Sequence, residues 1–201
     1  MQELVNTESI KKLSDELMAK IIGRTSITNN QLHDGLRLAT NVETDGMTRF
    51  KTFELIAIFG SYFIQQKILH TIKLQDREVF RMAMRESYGS YVAAFYNQTN
   101  IKGFVDEILI AYDIYFKEFS NTVGSVNARL QKLLVLCFNV RSKIKFVDNS
   151  LSGKFKFGLV NTLLKTSYRA KVEKGVVSLP LSVSVDLATA ITKDFLDIEL
   201  V

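Results

Sequence analysis

The chain has 201 residues, 47% hydrophobic and 23% charged, with a formal charge of +5 and a sequence pI of about 9.2. That composition excludes a disordered chain and suits one folded domain, or one domain with a small appendage. A single cysteine, Cys137, excludes an internal disulfide and a cysteine-rich metal site.

Residues 1–22 are charged throughout and lack the apolar stretch of a signal peptide, so an intracellular, soluble protein is expected. Ile10, Leu13, Leu17 and Ile21 recur at helical spacing, and Gly23 reads as a stop. Thr28 and Gln31 fit a capping box that opens a second helix, with Leu32, Leu36 and Ala39 inward. Residues 41–48, with Asp45-Gly46, are a polar connection. A third helix is expected from Arg49 to Leu74, apolar on most sides through Phe50, Phe53, Ile56, Phe59, Phe63, Ile64, Ile68 and Ile72. Such a helix belongs at the centre of a bundle. Its longest uncharged run, Leu55 to Gln66, has 12 residues, against the roughly 20 that a membrane span needs.

Asp76 is placed to cap a fourth helix with Phe80, Met84, Tyr88, Tyr91 and Phe95 as its apolar stripe. After a break at residues 97–100, a fifth helix carries Ile101, Val105, Ile108, Leu109, Tyr112, Tyr115, Phe116 and Phe119. Thr122 starts a sixth, with Val126, Leu130, Leu133, Leu134, Cys137 and Phe138. In that setting Cys137 is a small core side chain.

Beyond residue 140 the period shortens to two. Residues 143–147 and 154–157 alternate Lys with Ile, Phe or Val around turn residues, the pattern of a β-hairpin. Residues 177–185 alternate apolar residues with Ser and Pro180, which predicts an edge strand because proline cannot donate to a ladder. Asp186 caps a closing helix with Leu187, Ile191 and Phe195. The expected fold is mainly α, a bundle of about six helices over 1–140. A small β-containing part over 141–201 makes it α+β overall, either separate or packed on the bundle.

Charge is unevenly spread. Residues 129–174 hold eleven basic and two acidic residues, a net +9, while the residues before carry −1 and those after −3. A one-sign field attracts anions. The anion- or nucleic-acid-binding candidates are Arg141, Lys143, Lys145, Lys154, Lys156, Lys165, Arg169 and Lys171, whose lysines on a ribbon face could follow a phosphate backbone. The alternative is a solvated sheet face whose lysines discourage edge pairing. Phe146, Phe155 and Phe157 alternate with those lysines and so read as core, not as base-stacking groups.

A secondary basic row, Arg77, Arg81 and Arg85, recurs every four residues. Like charges at that spacing repel mildly, so a salt network with carboxylates such as Asp106 and Asp113 is the expected relief.

Signals for catalysis are thin. His33 and His70 stand in no metal-binding spacing, and phosphate-loop, dinucleotide and Gly-x-Ser-x-Gly patterns are absent. Glu54 is the carboxylate expected to be buried, with a raised pKa and Lys51 one turn away as its partner. No catalytic residue, cofactor or metal is assigned.

These features favour a non-enzymatic assembly or interaction protein that self-associates or docks into a larger complex. A phage or viral structural component or an adaptor is an example. Its basic late segment would meet an acidic partner or nucleic acid. The alternative is a dedicated nucleic-acid-binding protein, and a distant third is an enzyme with its site inside the bundle.

Overall fold

A computed structural model describes residues 7–40, 46–97, 103–123, 144–147, 171–173 and 176–180, together with Arg129, Lys193 and Ile198. The fold is helical. Four helices, α1 (Thr7–Thr40), α2 (Gly46–Ile68), α3 (Arg77–Phe95) and α4 (Phe104–Asn121), share one apolar core. Among the described residues, no helix is long and apolar enough to cross a membrane.

α1 is one helix of 34 residues where the sequence predicted two. Gly23 is not a stop, and Thr28 is not a cap: its Oγ1 donates to the Arg24 carbonyl one turn back, at 3.0 Å. The reason lies in what the buried stripe is made of. Ile10, Leu17, Met18, Ile21 and Ile22 give way to Thr25, Thr28, Asn29 and His33, all buried and all still at helical spacing. The hydrophobic period fades there, but the buried face continues because Asn29 and His33 find partners on α2. Asn29 Nδ2 donates to the Arg49 carbonyl at 3.1 Å, which orients the amide so that Oδ1 accepts from Thr52 Oγ1 at 2.7 Å. Thr52 has one hydroxyl hydrogen, so the 2.6 Å contact with His33 Nε2 puts the imidazole proton on that nitrogen as donor.

α2 is buried on every side from Thr52 to Tyr62, as its all-round apolar pattern predicts. α1 and α4 pack on it, and α3 packs on α1 and α4. The helix ends at Ile68, short of the expected Leu74. The Thr71 backbone N–H and its hydroxyl both donate to the Ile68 carbonyl, each at 2.8 Å, and consume the acceptor that a further turn needs. Asp76 makes no side-chain cap either. A 3₁₀ turn at Leu74–Asp76 leads into α3, so the Asp76 backbone is already helical (φ −94°, ψ −10°) and its carboxylate lacks the extended geometry of a cap.

Phe80, Met84 and Tyr88 of the predicted α3 stripe are buried, while Tyr91 is half-buried and Phe95 is exposed, stacked on Phe53 at 4.7 Å. Asn97 at φ 53° closes α3, and Gly103 at φ 83° opens α4, a left-handed conformation that favours glycine. α4 buries Ile108, Tyr112 and Phe119. Thr122 is extended, and beyond Val123 only Arg129 of the expected sixth helix is a described residue.

Three short backbone segments follow: β1 (Ile144–Val147), β2 (Lys171–Glu173) and β3 (Val176–Pro180), in the order β1-β3-β2. β1 runs parallel to β3 with Ile144 opposite Val177, and β2 runs antiparallel to it with Val172 opposite Val177. Among these strands β3 is central, not the expected edge. Pro180 is its final residue, so only the end of the ladder lacks a donor. Residues 154–157, the second arm of the expected hairpin, and the helix expected after Asp186 lie outside the described residues, apart from Lys193 and Ile198. Ile198 is buried in the helical core.

Candidate functional site

Of the late basic candidates, Arg141, Lys143, Lys154, Lys156, Lys165 and Arg169 lie outside the described residues. Lys145 and Lys171 are backbone positions of β1 and β2, and the register sets both opposite Ser178 of β3.

The secondary row is described in full, and each arginine has its own partner. Arg77 Nε donates to the Ile72 carbonyl at 3.3 Å. Arg81 reaches Glu78 at 3.4 Å. Arg85 grips Asp113 of α4 with two hydrogen bonds, both 2.7 Å, and this contact raises the pKa of its guanidinium. Asp113 is one of the two carboxylates expected from the sequence; Asp106, the other, is not Arg85's partner.

Arg81 and Arg85 stand on the wall of a cleft of about 430 Å³ between α2, α3 and α4. Its register follows from packing. α3 and α4 form an antiparallel pair, and Gly89 lets α4 approach: a Cβ there would lie 3.0 Å from Leu109 Cδ2. One turn along, Arg85 meets Asp113. One turn further along each helix, Arg81 and Lys117 both line the cleft.

The floor is polar and buried. Tyr112 is buried, which pushes its phenol up to about 12 against the opposing hydrogen bonds from Ser61 and Gln65, so it is a neutral donor and acceptor. Gln65 Nε2 donates to Ser61 Oγ at 3.0 Å and to Tyr112 Oη at 2.8 Å, while Ser61 and Tyr112 contact each other at 2.9 Å. Both amide hydrogens are used, yet Gln65 Oε1 is buried with no partner among the described residues. A buried acceptor left unmade is costly, about 1–3 kcal/mol. Met82 and Phe116 supply apolar wall, and Glu78 and Asp113 balance two of the three cations.

No protein-family model matches the chain, and comparison with curated proteins and with solved structures finds no match.

Elsewhere, Glu54 is fully buried and bonds Lys51 Nζ at 2.6 Å, as the sequence predicts. Burial raises its pKa, with Lys51 pulling the other way. Tyr88, buried beside that charge, is raised well above its ordinary value, first by burial and then by Glu54. His70 is exposed and Arg81 turns to Glu78, so neither is Glu54's partner. Among the described residues no three His, Cys, Asp or Glu side chains are grouped to hold a metal ion. Sequence reasoning missed the cleft because its polar floor and its charged walls come from three different helices.

Proposed function

We propose that the chain is a non-enzymatic assembly or interaction protein that self-associates or docks into a larger complex, using a basic late segment to meet an acidic partner or nucleic acid. The proposed architecture is a bundle of about six helices over 1–140, followed by a smaller β-containing part over 141–201. The observation that carries this reading is the contrast in charge between two stretches of chain. In the helical part, Lys51 pairs with Glu54, Arg81 with Glu78 and Arg85 with Asp113. Residues 129–174 hold eleven cations against two carboxylates, so their own acids cannot neutralise them. Exposed Ile110 and Ile114, one turn apart on α4, add apolar surface suited to a protein contact.

A second reading, a dedicated nucleic-acid-binding protein, is favoured by the register that levels Lys145 with Lys171 across β3. Phosphate contacts made by such a row would release counterions.

Light scattering on the purified full chain tests the first reading: a mass above 22.8 kDa, or a co-purifying partner, supports it. A monomer that captures no partner counts against it. Titration with single- and double-stranded DNA across a salt series tests the second. Affinity that falls steeply with salt, with a slope reduced by Lys145→Ala and Lys171→Ala, supports it; no binding at low salt rejects it.

A further inference from the structure

Within the self-association proposed for the chain, on which this rests, we infer that a second copy docks on the outward face of α4, the two α4 helices running antiparallel about a two-fold axis.

α4 buries Ile108, Tyr112 and Phe119 and packs against α2 and α3. With 3.6 residues per turn, the side of the helix opposite Tyr112 carries Glu107, Ile110, Ile114 and Lys117, at steps of three, four and three residues. All four are exposed, Ile110 by 57% and Ile114 by 54%. Alternating steps of three and four keep one seam along a helix, the spacing by which one helix packs on another. In water, isoleucine supports a helix less well than alanine or glutamate, because its branched side chain is restricted by the preceding turn. Two of them side by side on a solvent face point to a surface that covers them.

The charges on this face choose its occupant. Glu107 and Lys117 stand equally far on either side of Tyr112 along the chain, and so do Ile110 and Ile114. A second α4 laid antiparallel, level at Tyr112, brings Glu107 to the partner's Lys117 and Ile110 to the partner's Ile114. The face is complementary to itself, which is what a two-fold contact requires. A parallel pair would set glutamate on glutamate and lysine on lysine, and like charges across a seam repel. The neighbouring carboxylate Asp113 is held by Arg85 within the chain and leaves this pattern undisturbed. Two isoleucines from each copy make a contact smaller than the roughly 1,200–2,000 Å² of a stable complex, so the dimer dissociates on dilution.

Sedimentation equilibrium of the full chain over a concentration series is the test. The wild-type mass should climb with concentration from 22.8 kDa toward twice that value. Ile110→Gln combined with Ile114→Gln should stay monomeric and, in dilute solution, melt no lower than the wild type. Glu107→Lys and Lys117→Glu should each weaken the dimer about tenfold in low salt, since either swap sets two like-charge pairs across the seam. An equimolar mixture of these two single variants should recover the dimer, because each lysine of one chain then meets a glutamate of the other. Single swaps without effect, or a mixture that fails to recover, overturn the antiparallel pairing. Self-association that persists unchanged in the isoleucine variant overturns α4 as the surface while leaving the self-association reading standing. A wild type that is monomeric at every concentration overturns the second copy as occupant. If it then co-purifies with another protein that the isoleucine variant releases, the face belongs to that partner; if it captures none, the interaction reading falls as well.

Discussion

Arg85 and Asp113 lie 28 residues apart and are joined by two parallel hydrogen bonds of 2.7 Å, which lock α3 to α4 at one register. The pair is half in solvent, so its contribution is that of a surface ion pair, up to about 1 kcal/mol. Asp113→Asn should therefore lower the melting temperature by about 2–4 °C at most in low salt. The deficit should shrink in 1 M salt, where screening acts over about 3 Å. Thermal melts at two salt concentrations check this; a deficit independent of salt would mean that packing, not charge, holds the register.

Gly23 sits exposed inside α1, and a Cβ added there meets nothing within 4 Å. Its only effect on the helix is the conformational freedom of the unfolded chain. Gly23→Ala should stabilise the protein by about 1 kcal/mol, read as a shift in the denaturation midpoint without a change in slope. A loss of stability would show that α1 needs to bend at that point.

Glu54 makes a prediction in pH. Its folded pKa lies above the ordinary 4.5, chiefly because burial disfavours the charged form. The folded protein thus holds that proton more firmly than the unfolded chain does. Ionising Glu54 costs stability that grows as pH rises from 4.5 and levels off above the folded pKa. Glu54→Gln removes this dependence. The melting temperature of the variant minus that of the wild type should climb with pH and then plateau. A difference that stays constant from pH 4 to 8 would contradict the burial argument.

The polar end of the α1–α2 seam rests on Thr52. Thr52→Val keeps the shape but strips His33 of this contact and Asn29 Oδ1 of its donor, at a cost of about 1–3 kcal/mol. Thr52→Ser, which keeps the hydroxyl, should recover most of the loss. Urea denaturation of the pair of variants decides the matter: a loss in Thr52→Ser as large as that in Thr52→Val would show that keeping the hydroxyl does not preserve the seam, against the hydrogen-bond argument.

Much of the helical part was legible along the chain. The all-round apolar pattern of residues 49–68 placed α2 at the centre, and Lys51 one turn from Glu54 marked their ion pair. The four-residue arginine row demanded carboxylates, and Asp113 answered. Other expectations failed for physical reasons. α1 was read as two helices because hydrophobic periodicity is blind to buried threonine, asparagine and histidine that hydrogen-bond across a seam. Asp76 was read as a cap because composition does not show that a 3₁₀ turn already fills its place.

What the amino-acid order determined by itself is local: helical spacing, which depends on neighbours within a turn, and the segregation of charge, which is a matter of counting. Tertiary structure decided which rungs face one another. Gly89 meets Leu109 and, one turn along, Arg85 finds a carboxylate 28 residues away, while Gln65 donates to Tyr112 across the seam between α2 and α4. Those relations depend on how closely and at what offset two helices pack, a property of surfaces brought together from distant stretches of chain and of neither stretch alone.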